Sequence, residues 1–429
     1  MYTTATLKEM LAAGKFDKTF SLLYSDDPSV LKAQAQRYAK AADEFTALFK
    51  SGHDVSLFSA PGRTEVGGNH TDHQHGCVLA ASVNLDVIAV VEKNDDQMIR
   101  VKSEGYPQDD IDLNQLEIKA EEKNTAASLI RGVAARFKEL GYEIGGFNAY
   151  TTSNVLKGSG LSSSAAFEVL IGTILSHEFN EGKINAVEIA QIGQYAENVY
   201  FGKPSGLMDQ MASSVGSFVA IDFHDPKNPV IRKVAFDFAS SHHALCIIDT
   251  GGNHADLTDE YGSIPVDMKA VAHCLGTEVL RDADEAALYR NLKDIRAKVG
   301  DRAILRAMHF FADNRRAQDE ADALNKGDFD RFKQLVIESG YSSFMYNQNV
   351  YTCLNPTEQG LSLALAVSEQ LLSGKGAWRV HGGGFAGTIQ AFVPLDMLDT
   401  YKETMESIFG NGTCHVLNIR PVGGTKVQD

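Results

Sequence analysis

The sequence predicts an α+β protein of two domains. The chain has 429 residues and is 44% hydrophobic, so it can bury a full core and is longer than one typical domain. Both halves contain short stretches in which apolar and polar residues alternate, and longer stretches with apolar residues at helical spacing. These patterns favour sheets packed against helices in each half.

The charge of the chain favours a protein that handles a small molecule. There are 40 basic and 56 acidic residues, which give a formal net charge of -16. This balance opposes non-specific attraction to nucleic acid or to anionic lipid. The first residues lack a basic start followed by an apolar core, and no apolar run of about 18 residues occurs. We therefore expect a cytoplasmic protein without nucleic-acid or membrane partners.

The first elements are a helix and two strands. Apolar residues recur in steps of four and three from about Pro28 to Phe49, which predicts a helix. Strand-like alternation follows at 55–59 and again at 85–91. The polar stretch NHTDHQH, residues 69–75, therefore lies in a connection between two strands.

The rest of the first half predicts three helices and a strand. Residues 126–140 have a helical pattern, and 146–155 alternate like a strand. The residues after Ser164 are apolar enough for a buried helix. An amphipathic helix over 189–200 carries Glu197 near its end and stops at a Gly and Pro segment.

The second half predicts strands at 243–249, 377–382 and 388–394, with long helical stretches from about residue 266 to 335. No internal repeat and no low-complexity linker separates the halves. We place the boundary at HDPKNP, residues 224–229, because its aspartate and prolines interrupt the pattern.

The sharpest motif is GSGLSSSAA at 158–166. Glycines let successive backbone N–H groups converge, a helix N-terminus adds partial positive charge, and hydroxyls supply donors or a magnesium ligand. These features fit a triphosphate tail, although an ordinary serine N-cap after a flexible turn has similar letters. The motif is not a Walker A loop, because no G-x-x-x-x-G-K-[ST] pattern occurs.

A carboxylate among apolar residues is the next signal. Asp209 lies between Met208 and Met211 in FGKPSGLMDQMASS. Burial of an unpaired charge is costly, so this carboxylate is paired, hydrogen-bonded or functional. It can accept a proton from a substrate hydroxyl, or it can be a helix N-terminal aspartate held by backbone N–H groups.

A glycine-rich motif, HGGGFAGTIQAFV at 381–393, matches G-x-G-x-x-G. A dinucleotide-binding loop opens into a helix, whereas TIQAFVP alternates like a strand. We therefore expect a tight turn between two strands, where the backbone approaches another backbone or a ligand.

The H-x-D-H-x-H pattern at 70–75 has three interpretations. Imidazole and carboxylate groups can hold zinc or manganese, or the segment can be a plain polar loop. In the third interpretation, the hydrogen-bonding side chains of Arg63, Asn69 and the 70–75 segment, bracketed by glycines, line a pocket for a polyhydroxylated ligand.

Together and in this order, the motifs resemble the GHMP small-molecule kinases. The segment GRTEVGGNHTDH at 62–73 is similar to the galactokinase signature G-R-x-N-L-I-G-E-H-T-D-Y, and GLSSSAA, GGGFAG and G-x-M-D-Q match further family motifs. The resemblance covers residues 45–425. It implies two domains, 1–225 and 226–429, each a mixed sheet packed with helices, with the active site in the cleft between them. It also implies ATP, Mg2+ and a sugar substrate, in a monomer or weak homo-oligomer.

The resemblance also assigns roles at matched positions. Asp209 is similar to the residue that accepts the proton of the sugar's anomeric hydroxyl, and Arg63 to the cation that stabilises charge on the transferring phosphoryl group. The implied sugar contacts are Asn69, His70, Asp72 and Tyr261. The implied ATP-binding residues are Gly158, Gly160, Leu161, Ser162, Ser163, Ser164 and Ala165. Ser163, Ser164 and Glu197 are expected near magnesium, and the histidine segment becomes a sugar loop.

Departures from the family pattern bear on the substrate. Asn69 stands where galactokinases have a glutamate that contacts the C6 hydroxyl, and His73 replaces a tyrosine. An amide both donates and accepts, whereas a carboxylate only accepts. We expect galactose to be converted to galactose 1-phosphate, with galacturonate, N-acetylgalactosamine or another galactose-type sugar as the alternative. A non-catalytic sugar sensor is less favoured, because Ser164 and Ala165 are present together with Asp209.

Overall fold

Two β-sheets organise the chain. The computed structural model describes residues 2–50, 52–155, 160–203, 205–252 and 257–429. Its helices are α1 Thr4–Ala12, α2 Asp17–Leu23, α3 Pro28–Phe49, α4 Ala126–Glu139, α5 Ser163–Phe179, α6 Ala186–Tyr195, α7 Met208–Val215, α8 Thr258–Cys274, α9 Glu285–Arg290, α10 Leu292–Asn325, α11 Phe329–Ser342, α12 Gly360–Leu372 and α13 Leu398–Phe409. Its strands are β1 Ser56–Gly67, β2 Cys77–Lys93, β3 Met98–Ser103, β4 Gln108–Asp112, β5 Phe147–Ser153, β6 Phe218–Asp222, β7 Val230–Val234, β8 His243–Asp249, β9 Ala377–Val380, β10 Thr388–Pro394, β11 Cys414–Leu417 and β12 Thr425–Val427.

The first sheet has the strand order β12-β1-β2-β5-β3-β4. Strand β2 is long enough to pair with β5 along one half and with β6 along the other, and β6 pairs with β7. The β3–β5 pair is parallel, so the sheet is mixed. The second sheet has the order β11-β8-β10-β9 with antiparallel neighbours.

Most predicted elements are confirmed. The helix over Pro28–Phe49 has the predicted bounds, and α4, β5 and α5 occupy the segments expected for them. The predicted helix over 189–200 ends at Tyr195, where a π-helical turn over Ala196–Phe201 takes over. The long helical stretch of the second half is divided among α8 to α11.

Strand β1 runs further than its pattern predicted. It continues from Ser56 to Gly67, so Arg63 lies on a strand and not in a loop. Two register shifts against β2, between Pro61 and Arg63 and between Glu65 and Gly67, allow the glycines and the proline to stay in the ladder. The polar connection to β2 therefore begins only at Gly68.

The two sheets draw on both predicted halves of the chain. Residues 224–229 form the turn of the β6–β7 hairpin, and β12 returns from the C-terminus to the first sheet beside β1. The second sheet is built from strands between His243 and Leu417. A boundary at residue 225 stays a proposal, because chain segments on both sides of it build the first sheet.

The first 25 residues belong to the core. Leu7, Leu11 and Phe20 of α1 and α2 are buried in one cluster with Tyr38 of α3. The same segment also holds the C-terminus, because the Tyr2 hydroxyl donates to Asp429 Oδ1 at 2.9 Å. Within the described ranges, no helix has the length and apolar character needed to cross a membrane.

Candidate active site

The centre of the site is an ion pair between Arg63 on β1 and Asp209 on α7. Arg63 Nε lies 2.7 Å from Asp209 Oδ1. The two side chains are 12% and 28% exposed, so the pair is largely shielded but reachable. The Ser213 hydroxyl, one turn along α7, donates to the Pro61 carbonyl at 2.6 Å and so fixes α7 against β1.

The electrostatics keep Asp209 ionised. Burial by itself would raise the pKa of this carboxyl group, but the charge and hydrogen bond of Arg63, aided by the Ser162 hydroxyl, outweigh burial and lower the pKa below its usual value. Burial opposes the charge of Arg63 as well, yet Asp209 holds the pKa of the guanidinium above its usual value. The pair is therefore a carboxylate and a guanidinium at neutral pH.

The GSGLSSSAA segment, which is expected to hold phosphate and is called the phosphate loop below, lies directly against this pair. The Arg63 guanidinium donates to the Gly160 carbonyl, and the Arg63 backbone N–H donates to the Leu161 carbonyl at 3.0 Å. Gly160 and Ser162 have φ of 74° and 55°, a left-handed conformation that glycine adopts at little cost. This turn leads into α5 at Ser163. Gly158, the first glycine of the motif, lies outside the described residues.

The first turn of α5 contains Ser163, Ser164 and Ala165. Backbone N–H groups at the start of a helix have no partner within the helix, and the helix dipole favours an anion there. The Ser164 hydroxyl also lies 3.4 Å from Glu197 Oε1. Carboxylate and hydroxyl oxygens are ligands that Mg2+ accepts, so Ser164 and Glu197 fit the expected metal.

Glu197 is held in place by several donors. It is 3% exposed and accepts from Ser205 Oγ at 2.6 Å, Gln210 Nε2 at 2.8 Å and Lys203 Nζ at 3.3 Å. Because Lys203 is 59% exposed on its side chain, a bound cation can take its place without unpairing a buried charge.

Asn69 has a different environment from the one expected of a sugar contact. It is fully buried, and its Nδ2 donates to Glu65 Oε1 at 3.0 Å and to the Gly382 carbonyl at 2.8 Å. Its Oδ1 accepts from Asn349 Nδ2 at 2.8 Å and from Ser343 Oγ at 3.2 Å. The amide is fully engaged within the protein, and it joins the sugar loop to the second half of the chain.

His70 and Tyr261 form an aromatic wall above the glycine motif. His70 Nε2 donates to the Gly383 carbonyl at 3.0 Å, and its ring centroid lies 5.1 Å from that of Tyr261. Burial, with smaller contributions from His73, lowers the pKa of His70 to about 3, so the ring is neutral. His73 completes this wall, because its ring lies 5.6 Å from His70 and 6.1 Å from Tyr261.

Asp72 faces the same space. Its side chain is 26% exposed, and a β-carbon at Gly206 would lie 3.6 Å from its Oδ2. Gly206 is three residues before Asp209, so the sugar loop lies beside the segment that carries the ion pair. The pKa of Tyr261 is raised by burial and then by the nearby charge of Asp72, with Asp209 also contributing. Asp72, Tyr261 and Asp209 therefore surround one space.

Sequence reasoning missed a buried layer beneath the site. Arg379 on β9 is fully buried and donates to Glu65 Oε1 at 2.8 Å. His381 lies between the hydroxyls of Thr64 and Thr388, at 3.0 Å and 2.9 Å. The available signal was polar residues in apolar strand patterns. Their partners on β1, Glu65 and Thr64, lie more than three hundred residues away, so the sequence alone did not show the pairing.

A second missed pair lies on helices. Glu168 is the only acidic residue in the apolar run of α5, and Gln210 directly follows Asp209. Both are fully buried, and they are joined by a hydrogen bond of 2.9 Å. An acid within the apolar run of a buried helix was the signal. In the described ranges, no group of three or more His, Cys, Asp and Glu residues is placed to hold a metal ion.

Known proteins resemble this chain in sequence and in fold. A model of the GHMP kinases N terminal domain matches residues 128–217, and the galactokinase galactose-binding signature matches residues 43–93. A galactokinase of Streptomyces coelicolor is 29% identical over 355 residues, which cover 82% of this chain and 88% of that protein.

Solved structures agree on the fold. The chain matches a Lactococcus lactis galactokinase, crystallised in complex with galactose, with a TM-score of 0.75 at 23% identity over 91% of this chain and 100% of that one. It matches the Methanococcus jannaschii mevalonate kinase with a TM-score of 0.60 at 14% identity over 86% and 99%. The expected α+β fold of sheets packed with helices is confirmed, but only the first sheet is mixed, because all neighbours in the second sheet are antiparallel. The two matched models, the curated relative and the shared fold all support the resemblance of this chain to the GHMP kinases and, among them, to the galactokinases.

Proposed function

We propose that this protein transfers the terminal phosphoryl group of ATP to the anomeric hydroxyl of galactose and releases galactose 1-phosphate and ADP. The galactose-binding signature over 43–93 and the similarity to the Streptomyces coelicolor galactokinase support this activity. The observation that carries the proposal is the Arg63 and Asp209 pair, which lies between the phosphate loop and the wall of His70 and Tyr261.

Asp209 orients the attacking hydroxyl and accepts its proton. Because Arg63 lowers the pKa of Asp209, the carboxylate is present at neutral pH but is a weak base. Its contribution is therefore greatest in holding the hydroxyl in line, and it takes the proton as the new P–O bond forms. Phosphoryl transfer depends mainly on such positioning and on electrostatic stabilisation.

Arg63 connects the two substrates. Its Nε contacts Asp209 on the sugar side, and its Nη1 contacts the Gly160 carbonyl on the phosphate side. From this position the fixed positive charge stabilises the charge that develops on the transferring group. Ser163, Ser164 and Glu197 would hold Mg2+, which when bound neutralises charge on the phosphate oxygens.

A second candidate is a kinase for another galactose-type sugar, such as galacturonate or N-acetylgalactosamine. The environment of Asn69 supports this second candidate. The Asn69 amide already makes hydrogen bonds with Glu65, Gly382, Ser343 and Asn349. A side chain occupied in this way leaves the sugar to be selected by Asp72 and the aromatic wall.

The test is ADP release with ATP and Mg2+ for galactose, galacturonate, N-acetylgalactosamine, glucose and arabinose, with phosphorus NMR of each product. A sugar 1-phosphate from galactose is the expected result. Turnover of another sugar in the panel would move the substrate and keep the chemistry. Sugar binding without any turnover would replace the kinase by a sugar sensor. Size-exclusion chromatography of the same sample tests for a monomer or weak homo-oligomer in this proposed cytoplasmic enzyme.

A further inference from the structure

A buried acid lies behind the phosphate loop with no role in the chemistry proposed above. Glu168 is on α5, four residues and therefore one turn after Ser164. It is fully buried, and its Oε1 has no hydrogen-bond partner. A buried polar group left unsatisfied costs free energy, so the presence of an acid in the apolar run of this helix needs a reason.

The amide of Gln210 joins this acid to the site. Gln210 Nε2 donates to Glu168 Oε2 at 2.9 Å and to Glu197 Oε2 at 2.8 Å. One amide NH2 group thus uses its two hydrogens on two carboxyl groups from different elements. Gln210 also directly follows Asp209, so the same backbone segment of α7 carries the proposed base and this bridge.

Close packing of α6 surrounds the Gln210 amide that bridges Glu168 and Glu197. A β-carbon on Gly193 of α6 would lie 3.2 Å from Gln210 Cγ and 3.3 Å from Glu168 Oε2, which is tighter than ordinary van der Waals contact. The glycine therefore lets α6 approach the two side chains closely. Water has no access to Glu168 or Gln210, since both are fully buried.

The bridge determines which end of the Gln210 amide faces Glu197. The two ends of an amide have nearly the same shape, but one donates and the other accepts. Without an acceptor at position 168, the flipped amide would present Oε1 to the Glu197 carboxylate, a repulsive contact. Burial, followed by the nearby charge of Glu197, raises the pKa of Glu168 well above its usual value, which allows a neutral acid to accept the hydrogen bond beside Glu197.

We propose that Glu168 is a positioning residue, which orients the Gln210 amide so that it donates to Glu197 and holds that carboxylate beside Ser164 for the metal. This inference rests on the proposed kinase function. Residues that orient a metal-binding carboxylate affect metal affinity without touching the metal. Glu168 acts in this way through Gln210 alone, so its effect disappears when Gln210 is replaced.

The test measures Mn2+ binding in the presence of a non-hydrolysable ATP analogue by electron paramagnetic resonance, without sugar. Glu168→Met removes the acceptor, and we expect Mn2+ to bind about 10- to 100-fold more weakly. Glu168→Gln keeps an acceptor oxygen and is expected to restore binding close to that of the wild type. Thr173→Val, at another buried position of the same helix, is the control and is expected to leave binding unchanged.

A double-variant cycle separates positioning from general damage. If Glu168 acts through Gln210, adding Glu168→Met to Gln210→Met causes no further loss of Mn2+ affinity. Three outcomes would each overturn the proposal. Glu168→Met could lower Mn2+ affinity equally in the wild type and in Gln210→Met, it could bind Mn2+ as the wild type does, or Glu168→Gln could lose as much Mn2+ affinity as Glu168→Met. If Glu168→Met fails to fold, two other variants test the proposal. Gln210→Met must weaken Mn2+ binding and Glu168→Gln must leave it close to that of the wild type, and either opposite result overturns the proposal.

The experiment also distinguishes this inference from the proposed function. Wild-type protein is assayed in parallel for ADP release with galactose, whereas the Mn2+ measurement needs no sugar turnover. If the wild type does not turn over galactose, but the double-variant cycle shows the expected coupling between Glu168 and Gln210, the kinase function alone is rejected. Normal turnover with no coupling between Glu168 and Gln210 would reject the positioning role alone.

Discussion

Two fully buried carboxyl groups of this protein, Asp86 and Glu168, have opposite surroundings. Asp86 accepts from Arg37 Nη1 and from the Tyr24 hydroxyl, both at 2.6 Å, and lies 3.2 Å from Arg420 Nη1. Glu168 has one amide donor and an oxygen without a partner. Burial raises the pKa of both, but the two arginines outweigh it at Asp86, whose pKa is lowered, whereas that of Glu168 stays raised.

The difference follows from what each cluster has to hold. The Asp86 cluster ties the N-terminal helices and the C-terminal segment to the first sheet, and it is neutralised entirely by the protein. The cluster of Glu168, Gln210 and Glu197 lies beside the phosphate loop and is not neutralised in this way. The cations around Asp86 indicate that this acid maintains the fold, whereas Glu168, which lacks them, is the acid that we propose serves the function of the site.

The largest expected effect is on the rate, in Asp209→Asn. Loss of a positioned base lowers kcat by about 10² to 10⁴, because the amide can neither accept the proton nor pair with Arg63 as an anion. Steady-state kinetics with ATP and galactose measure kcat, and calorimetric titration measures ATP affinity, which we expect to stay nearly unchanged. A variant that keeps about half of the wild-type rate would refute the assignment of Asp209 as the base.

Asp86→Asn should produce the largest loss of stability. The amide leaves Arg37 and Arg420 without a counter-charge in the core, which costs on the order of 3 to 5 kcal/mol of unfolding free energy. Urea unfolding measures the loss, and kcat of the folded fraction should stay near that of the wild type. The matched control is Asp43→Asn, which removes an exposed ion pair with Lys8 and should cost less than about 1 kcal/mol. Equal losses in the two variants would show that the buried arginines of Asp86 stabilise the fold no more than an exposed ion pair does.

A smaller loss is expected for Asn69→Asp, which tests whether position 69 maintains the fold or binds sugar. The carboxylate would replace a donor to Glu65 Oε1 and the Gly382 carbonyl, at a cost of about 1 to 3 kcal/mol. Urea unfolding and sugar KM are measured on the same sample. Unchanged stability together with a KM raised more than about tenfold would instead assign Asn69 to the sugar pocket; one tenfold step corresponds to about 1.4 kcal/mol.

The last effect, the smallest at any single pH step, is a pH dependence at Glu320, a third buried acid, on α10, with both oxygens unpartnered. Burial raises its pKa well above the usual 4.5. The charges of Arg379 and Arg316 oppose this rise, and those of Asp313 and Glu65 add to it. Above about pH 4.5 the unfolded chain loses this proton while the folded protein keeps it. The contribution of Glu320 to stability therefore falls as pH rises, by at most about 1.4 kcal/mol per pH unit.

Glu320→Gln removes this titration, so the variant should gain stability relative to the wild type as pH increases from about 5 to 7. Urea unfolding of both proteins at three pH values gives the difference, in which the titration of the buried histidines cancels. A difference that stays constant with pH would show that Glu320 is ionised in the folded protein.

Much of the site was predictable from local patterns. The segments around Arg63, Ser164 and Asp209 were recognised from residue types at short spacing, and the structure brings them together around one cleft. Asn69 was expected to contact sugar, and the structure shows its amide engaged by Asn349 and Ser343. That environment could not be predicted, because its donors lie about 280 residues away and no local pattern announces them.

The sequence by itself determined the order of helices and strands, the candidate phosphate loop, the glycine turn and the resemblance to the GHMP kinases, since periodicity and short motifs are properties of neighbouring residues. The tertiary structure decided which buried polar groups meet. Glu65 with Arg379, Asp86 with Arg37 and Arg420, and Glu168 with Gln210 are partners brought together by packing. Burial makes each pairing energetically decisive, because a polar group removed from water must find its partner within the fold.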